Sequence, residues 1–474
     1  MTAAVETTND SWSVLLSGRN GLRSIALAGG VAVHAINVYL VTTILPSIVR
    51  DIGGLEFYAW NMTLFVMASI LGSALSPKMI HSLGLRSAFV VTMIIFMIGT
   101  AICAMAPRME VLLLGRTVQG LGGGFLLGLS YSAVRIVFDS VLWPKAMVLI
   151  SSMWGIATLI GPTIGGVFAE GGHWRLAFWF VIPAVLGLLF LVLTQIKGGR
   201  HSTQDDAGIP FGKLSLLAVS VVIISWASLY KNNLAINLGG VLVAIVLTVL
   251  VGRSDRVAQA NILPRGTYKR FSPLAVLYGC VALLSLGVTI ELYIPYFLQH
   301  IHHQSPLWGG YFMASLSFAW TIGSFLSAGK SPQTTEAFVK GGPILAAVGL
   351  VLLAILMPMD LQTLVPGGAY WLLVPLMAIG CGIGVCWPHL LTEVFHAAPK
   401  GQENLASAAI ITVQLYSLAM GGALSGMLAN LSGFDDPSNL NGTRVSAAVV
   451  FGVLALGPII ASWLVFKRQP QTHP

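Results

Sequence analysis

The chain has 474 residues, of which 56% are hydrophobic and only 9% are charged. Soluble domains carry about 25% charged residues, so this composition excludes an ordinary soluble protein. The net charge of +8 could suggest a nucleic-acid partner, but the basic residues lie between apolar runs, where they orient a membrane protein. The sequence therefore predicts a multi-pass protein whose partner is the lipid bilayer and which binds no nucleic acid.

Apolar runs that can each cross a bilayer as a helix recur along the whole chain. The first run is too long for the core of a signal peptide, so it is expected to remain as a span. The weakest pair, 212–230 and 233–252, leaves twelve spans plus a re-entrant hairpin as an alternative to fourteen. In chain order the runs lie at 24–49, 57–77, 87–106, 111–134, 146–169, 176–196, 212–230, 233–252, 272–298, 309–328, 342–359, 370–392, 404–429 and 446–466.

The basic residues between the runs predict the orientation. With the N-terminus inside, nineteen Lys and Arg side chains fall in cytoplasmic segments and five fall in outer loops. Cytoplasmic loops of membrane proteins carry this excess, so both termini are expected in the cytoplasm. Removing the pair 212–230 and 233–252 keeps the same parity, so the charge bias does not decide between twelve and fourteen spans.

A faint internal repeat predicts the division into halves. Residues 42–46 end in proline near the outer end of the first span, and residues 291–295 do the same in the ninth. Parallel duplication of six helices is a known transporter plan, with a substrate site between the halves near the midplane; coincidence between proline-ending apolar stretches is the alternative. The predicted segments are a tail 1–22, an N-terminal half 23–196, a linker with two extra helices 197–256, a C-terminal half 257–467 and a tail 468–474.

Two charged residues lie well inside the predicted spans, Glu291 and Arg116. Each costs roughly 2.5–3.5 kcal/mol on insertion scales, so such residues usually face a cavity or a partner. We expect Glu291 to take up and release a proton, and Arg116 to supply a fixed positive charge that tunes Glu291 or holds an anionic group. A structural polar clasp, or snorkelling toward the outer interface, is the alternative.

Further polar and aromatic residues join this predicted site. His34 and Asn37 are one turn apart on the first span and share a face, which makes His34 a second candidate proton carrier. A satisfied core histidine is the competing interpretation. The cavity is expected between the halves, and its predicted lining is Arg116, Asn37, Gln119, Tyr293 and Trp387.

The sequence gives little support to a metal site. All four cysteines lie inside apolar runs, without the paired spacing of a disulfide framework or zinc cage. His300, His302 and His303 resemble metal ligands, but they follow a span in a loop without an acid or cysteine nearby. A solvated polar loop is expected there, with no metal and no cofactor.

Two motifs carry a family resemblance. The run 112–120 followed by glycines resembles the fourth-helix motif of the major facilitator superfamily, and the run 155–166 looks like its antiporter motif on the fifth helix. Residues 174–179, 262–264 and 293–310 are similar to the fourteen-helix drug/proton antiporter branch. The resemblance covers essentially the whole chain and implies an all-α membrane protein with two six-helix halves and two extra helices between them. The implied conformational residues of the antiporter motif are Gly161, Pro162, Gly165 and Gly166.

The chain departs from that family's pattern at two places. In the loop 77–86, His81 stands in place of the usual acid, although Gly84 and Arg86 match the motif, so gating is expected to differ. On the first helix, the position where this branch has an acid holds Asn37, which cannot titrate. If a proton is exchanged, the expected carrier is therefore Glu291, with His34 second.

The resemblance implies a secondary transporter of the bacterial inner membrane. It would export amphipathic or lipophilic small molecules in exchange for protons by alternating access, as a monomer. One alternative is a dedicated exporter of an endogenous metabolite or a siderophore-like anion that contacts Arg116; a more remote one is a non-transporting scaffold or sensor. An enzyme should present convergent acids, nucleophiles or metal ligands, and the spans contain one acid, so we expect no enzyme.

Overall fold

The computed structural model describes residues 12–196, 210–231, 233–258, 260–269, 271–434, 436 and 438–467. The predicted tail 468–474 and the linker segment 197–209 lie outside the described residues, and the predicted tail 1–22 is described only from residue 12. All regular secondary structure in the described residues is helical. We name the two ends of the bundle by the predicted topology, so the outer end contains the connection 53–59.

The N-terminal half contains six long helices after a short first one. A single residue, Gly84, joins the third and fourth helices at φ +77°, a backbone conformation that glycine adopts readily because it lacks a Cβ. The helices are α1 Trp12–Leu16, α2 Gly18–Ile52, α3 Trp60–Leu83, α4 Leu85–Ala104, α5 Met109–Val137, α6 Trp143–Glu170 and α7 Trp174–Gln195, with 3-10 turns at Leu55–Phe57 and Ser140–Leu142.

Two helices between the halves form the predicted extra hairpin, which we call the central hairpin. These are α8 Phe211–Ala227 and α9 Leu234–Val257. Asn233 caps α9 by accepting a hydrogen bond from the Ile236 amide at 3.1 Å, as an N-cap side chain does for an otherwise unpaired amide.

The C-terminal half repeats the six-span plan with more interruptions. Its helices begin repeatedly with serine followed by proline, at Ser272, Ser305 and Ser331, whose side chains cap the first turn. The helices are α10 Pro273–Val288, α11 Ile294–His300, α12 Pro306–Ser327, α13 Pro332–Leu356, α14 Leu361–Leu364, α15 Leu373–Ala397, α16 Glu403–Leu431, α17 Leu440–Leu454 and α18 Leu456–Lys467, with 3-10 turns at Thr289–Leu292 and Gly368–Leu372.

Most of the predicted spans coincide with helices that can cross a bilayer. Twelve helical segments of the described chain are long and apolar enough to do so. The two remaining predicted spans coincide with α8, which has 17 residues, and α12, which has 22, and neither is among the twelve. The all-helical fold is confirmed, and the count of fourteen spans stays a prediction.

The predicted span 272–298 coincides with Pro273–His300, which is long and apolar enough to cross a bilayer, but its helix is interrupted. Helix α10 ends at Val288, a 3-10 turn covers Thr289–Leu292, and α11 starts at Ile294. Pro295 lies in the first turn of α11, where a proline fits because the missing amide hydrogen needs no partner. The run 446–466 is interrupted in a similar way, since α17 ends at Leu454 and α18 starts at Leu456, two residues before Pro458. The first break lies at the predicted proton carrier.

The two halves meet along a few helix pairs. Helix α6 packs against α12 and α3 against α16, while α2 contacts α11 and α12. At the outer end the approach is close, since a Cβ built on Gly426 would lie 2.5 Å from Ala59 Cβ, and one on Gly422 would lie 2.8 Å from Thr63 Oγ1. Halfway along α6 the spacing widens, and a Cβ on Gly155 would lie 3.9 Å from Thr321 Oγ1. The described contacts therefore close the bundle toward its outer end.

Candidate functional site

The Glu291 carboxylate lies where the two halves meet. Ser317 on α12 donates a hydrogen bond to its Oε1 at 3.3 Å. The side chain of Tyr39, from α2 of the other half, interacts with both Ser317 and Glu291. Glu291 remains partly exposed, while Ser317 is buried. Acids within spans usually face a cavity or a partner, and the boundary between the two halves supplies both kinds of neighbour.

The helix break explains how Glu291 reaches this boundary. Its 3-10 turn Thr289–Leu292 separates α10 from α11, so its backbone is not part of a regular α-helix. Thr321, one turn beyond Ser317 on α12, faces Gly155 of α6. The side chains that interact with Glu291 therefore come from α12 of its own half and from α2 of the other half.

Arg116 on α5 occupies a separate cluster of neutral groups. Its Nη1 donates to Asn37 Oδ1 at 2.6 Å and to Gln119 Oε1 at 2.6 Å, and its Nε donates to Asn61 Oδ1 at 3.1 Å. The guanidinium lies 4.0 Å from the centre of the Phe65 ring, within the range of a cation–π contact. Arg116 is 2% exposed and Asn37 is fully buried. The charge is held by amide dipoles from three helices and a ring.

A further hydrogen bond fixes the orientation of this cluster. Gln119 Nε2 donates to Thr100 Oγ1 at 2.8 Å, and the Thr100 hydroxyl donates to the Phe96 carbonyl at 2.8 Å. The Gln119 oxygen is thereby turned toward Arg116. In the described residues, the hydrogen bonds of Arg116 go to these amides and none goes to Glu291. The geometry favours the structural clasp that the sequence left open.

His34 also contacts the Phe65 ring. Its ring stacks on Phe65 with centroids 5.2 Å apart and meets Trp154 edge-on at 5.8 Å. His34 is 2% exposed, and a Cβ built on Gly123 would lie 2.7 Å from its Nδ1. These contacts suit a core histidine, and its role as a second proton carrier stays a prediction.

The antiporter-like run on α6 packs in two directions. A Cβ on Gly161 would lie 2.7 Å from Tyr39 Cβ, and one on Gly165 would lie 2.8 Å from the Leu40 carbonyl, so both glycines face α2. Gly166 and Pro162 instead face α12: a Cβ on Gly166 would lie 2.6 Å from Leu307 Cα, and one on Gly310 would lie 2.7 Å from Pro162 Cβ. The motif thus serves one contact within a half and one contact between halves.

Tyr293 lies in an aromatic cluster at the outer end, and its place in a substrate cavity stays a prediction. It is 0% exposed, and its ring centroid lies 5.5 Å from that of Tyr58 in the N-terminal half. Tyr296 and Phe434 complete the cluster, with centroids 4.6 Å apart. The Tyr58 hydroxyl donates to the Leu292 carbonyl at 3.1 Å across the boundary. This outer aromatic cluster closes the bundle over the Glu291 region.

Trp387 lies on α15 in the C-terminal half. It is 9% exposed and meets Trp320 of α12 edge-on, with ring centroids 5.3 Å apart. Close approach of these helices requires glycine, because a Cβ on Gly384 would lie 2.2 Å from the Trp320 carbonyl oxygen. The pair packs two helices of one half together, and a contact of Trp387 with substrate stays a prediction.

The loop motif near residues 77–86 lies at the inner end. His81 is exposed in the last turn of α3, Arg86 is partly exposed in the first turn of α4, and Gly84 makes the turn. Neither His81 nor Arg86 is ion-paired to another described residue. The loop therefore shows no charge pair at the position where the resemblance implies one.

The histidines after α11 have different surroundings from one another. His303 is exposed, but His302 is 1% exposed and its Nε2 lies 2.9 Å from the Met357 carbonyl. The prediction of a solvated loop is therefore wrong for His302, which anchors the loop, and burial lowers the pKa of His302. Among the described residues, no group of three or more His, Cys, Asp or Glu side chains could hold a metal ion.

Sequence reasoning missed three polar residues of the site: Tyr39, Asn61 and Ser317. Asn61 could have been found from the sequence, because it is an amide near the start of an apolar run. The structure shows that it is buried. Tyr39 and Ser317 give no comparable signal, because hydroxyl groups are tolerated in spans and both become relevant only through the partner that the fold brings to them.

The chain is similar to known transporters along most of its length. The family model described as Major Facilitator Superfamily matches residues 27–422. A protein of Mycobacterium tuberculosis named probable multidrug-efflux transporter is 35% identical over 473 residues, with 97% of each chain covered. Multidrug resistance protein 3 of Bacillus subtilis is 25% identical over 374 residues, covering 76% of this chain and 70% of that one.

Solved structures show the same fold. The POT family transporter PepTSo superposes with a TM-score of 0.68 at 15% identity, covering 95% of this chain and 99% of that one. A bacterial homolog of the human lysosomal transporter Spinster, in an inward-facing and unoccupied conformation, gives a TM-score of 0.63 at 15% identity, with 96% and 99% covered. Taken with the sequence match, these likenesses show that the chain belongs to the Major Facilitator Superfamily of secondary transporters.

Proposed function

We propose that the protein exports amphipathic or lipophilic small molecules from a bacterial cytoplasm in exchange for protons. The substrate class and direction rest on the mycobacterial relative named as a multidrug-efflux transporter, which matches this chain end to end. Proton exchange rests on one observation, the partly exposed Glu291 carboxylate between α2 and α12. We further propose that the protein acts as a monomer in the inner membrane and that both of its termini lie in the cytoplasm.

The proposed cycle uses Glu291 as the group that changes charge. With the outer aromatic cluster open, a proton from outside binds the carboxylate, which favours release of the substrate to the outside and makes the side chain less costly to bury. The outer ends then close as described here, and Glu291 faces the cytoplasm. Proton release restores the charge and favours loading of the next substrate molecule, so the proton gradient drives export.

The dedicated exporter of an anionic metabolite is the second candidate. It requires Arg116 to contact the substrate, but Arg116 is 2% exposed and is bonded to three amides. A substrate would have to displace those amides from a buried charge, which costs several kcal/mol. The geometry therefore favours the exporter of amphipathic or lipophilic compounds, and the scaffold or sensor remains a remote alternative.

The experiment uses purified protein in vesicles with an imposed pH gradient. A panel of fluorescent lipophilic cations reports uphill movement, and exchange of labelled for unlabelled substrate without a gradient reports passive cycling. Glu291→Gln is expected to abolish uphill movement while exchange continues, because an amide keeps the shape of the side chain but cannot release a proton. Glu110→Gln is the matched control, since Glu110 is exposed in the first turn of α5.

The outcomes separate the parts of the proposal. Undiminished uphill transport by Glu291→Gln would remove Glu291 as the carrier. If transport by the unaltered protein does not depend on the pH gradient, the proposed proton coupling is wrong. If no compound of the panel moves in either assay, the proposed substrate class is wrong.

A further inference from the structure

The central hairpin is hydrogen-bonded to α16 inside the bilayer region. The Tyr416 hydroxyl of α16 lies 2.7 Å from Thr248 Oγ1 on α9 and 3.0 Å from Ser220 Oγ on α8. One tyrosine hydroxyl can donate one hydrogen bond and accept others, so it can bind both hairpin helices at once. These side chains are largely buried, with Ser220 at 0% exposure. Tyr416 thus joins both extra helices to the C-terminal half.

Two more hydrogen bonds fasten the hairpin at the ends of α16. At the outer end, Asn430 Nδ2 lies 3.2 Å from the Ser228 carbonyl at the hairpin tip. At the inner end, the Arg265 amide, in the connection after α9, donates to Gln402 Oε1 at 2.8 Å. The hairpin is therefore held to one helix of the C-terminal half near its middle and at both ends.

A buried ion pair makes the hairpin and the connection after it one unit. Asp255 of α9 accepts hydrogen bonds from Lys213 Nζ of α8 at 2.6 Å and from the amides of Ile262 and Leu263 at 2.8 and 3.0 Å. The Tyr268 hydroxyl donates to the same carboxylate at 2.8 Å, and burial, together with this bond, raises the pKa of Tyr268. Since removing one partner of a buried pair is costly, the connection from α9 to α10 moves with the hairpin.

The contact of the hairpin with the N-terminal half has a different character. Ile70, Leu71 and Met67 of α3 face Leu214 and Leu217 of α8 across a small apolar cleft. No hydrogen bond joins α3 to the hairpin in the part of the chain that the structure describes. Apolar surfaces without directional bonds can shift past each other, whereas breaking a hydrogen bond in lipid leaves an unpaired polar group.

We propose that the central hairpin travels with the C-terminal half, that Tyr416 is the positioning residue that fastens it there, and that the sliding boundary lies between α8 and α3. The inference rests on the proposed alternating access. The bond from Asn430 Nδ2 to the Glu56 carbonyl, at 3.1 Å, belongs to the outer closure and breaks when the outer end opens. The extra helices then enlarge one moving body, rather than forming a fixed spacer between two.

The test cross-links one hairpin position to either side of the cleft. Leu217, Ile70 and Thr412 all line it, so Leu217→Cys can be paired with Thr412→Cys on α16 or with Ile70→Cys on α3. A short bis-methanethiosulfonate closes each pair through two disulfide bonds, and substrate exchange without a pH gradient is measured. The link to α16 should leave exchange near the unlinked rate. The link to α3 should slow it about tenfold or more, a barrier increase of about 1.4 kcal/mol, and reductant should restore it.

Each other result overturns the inference. If the link to α16 abolishes exchange and the link to α3 does not, the hairpin moves with the N-terminal half. Equal loss with both links, or with neither, would show that no boundary of motion passes between α8 and α3. Because exchange needs no proton gradient, a failure of proton coupling does not change this pattern. Variants that carry only one of the two introduced cysteines, treated with the same reagent, control for modification alone.

Rescue by the cross-link tests Tyr416 itself. Tyr416→Phe removes the hydroxyl that binds Ser220 and Thr248, and we expect slower exchange because the hairpin loosens from α16. The link between positions 217 and 412 should return exchange toward the rate of the unaltered protein. A Tyr416→Phe variant that exchanges normally, or one that the link does not improve, would exclude the positioning role.

Discussion

The Arg116 guanidinium and the Asn37 amide form a charge–dipole pair in the interior, with Nη1 and Oδ1 2.6 Å apart. Asn37 is a neutral partner for the buried Arg116 cation. It stands at the position where the resemblance to the drug/proton antiporter branch implies an acid. The pair joins α5 to α2, and it does so with an amide that cannot titrate.

Loss of the Asn37 acceptor should destabilise the protein. Asn37→Leu leaves a guanidinium N–H without a partner, and we expect the free energy of unfolding to fall by about 1–3 kcal/mol. Asn37→Asp keeps an acceptor and adds an opposite charge, so it should retain the melting temperature. Thermal denaturation in detergent measures both. An Asn37→Leu protein that melts with the unaltered one would contradict the role of this contact.

A side chain added at Gly310, which contacts Pro162, should hinder closure of the outer end. In Gly310→Ala the new Cβ would lie 2.7 Å from Pro162 Cβ and 3.0 Å from Thr43 Cγ2, so α12 cannot approach α6 as closely. We expect export to fall and a cysteine at the buried position Ala59 to react faster with an impermeant maleimide. Gly187→Ala on α7 is the control, because nothing lies within 4 Å of its Cβ position.

The hydroxyl of Ser317 should set the pH range of transport. It donates to Glu291 Oε1 at 3.3 Å, a bond that favours the ionised carboxylate. Without this donor, proton release to the cytoplasm requires a lower proton concentration, so Ser317→Ala should shift the pH profile of uphill export toward alkaline pH. Ser317→Thr should keep the profile, as should Ser315→Ala, whose hydroxyl bonds to its own helix at Phe312. An unshifted profile in Ser317→Ala would exclude the role.

His302 should make stability depend on pH. Burial lowers the pKa of His302 below its ordinary value of about 6.5, so the unfolded chain binds a proton more readily than the folded one. The contribution of neutral His302 to the free energy of unfolding is complete above that pKa value and is lost as the pH falls below it. His302→Gln can still donate to the Met357 carbonyl, and we expect its melting temperature to fall less on acidification. The exposed His303→Gln is the control; equal acid sensitivity in both variants would contradict this assignment.

Much of the fold could be predicted from apolar run length and charge placement. The run 111–134 became α5 at Met109–Val137, because a backbone in lipid must satisfy its own hydrogen bonds and a helix does so locally. The break at Thr289–Leu292 was overlooked, although Pro295 signals it, because average hydropathy hides a single proline. Glu291 was identified because an acid in a span has a high energetic cost.

The partners of the identified residues could not be predicted in the same way. Arg116 meets Asn61 from 55 residues earlier, and Tyr416 meets Ser220 from 196 residues earlier. A serine or tyrosine in an apolar run has no individual signature, since its hydroxyl can bond to its own helix or across to another. In the same way, nothing in the sequence indicates that Tyr293 is buried in the outer aromatic cluster.

The sequence by itself determined which segments are long and apolar enough to form membrane helices, where the rare charges lie within them, and to which family the motifs point. These properties follow from the transfer of individual side chains and backbone groups into lipid, which depends on local composition. Only the tertiary structure decided that Glu291 meets Ser317 and Tyr39 between the halves, that Arg116 is surrounded by amides, and that the central hairpin is bonded to α16. Those contacts depend on how distant helices pack, and short-range hydrogen bonds form only after that packing brings their partners together.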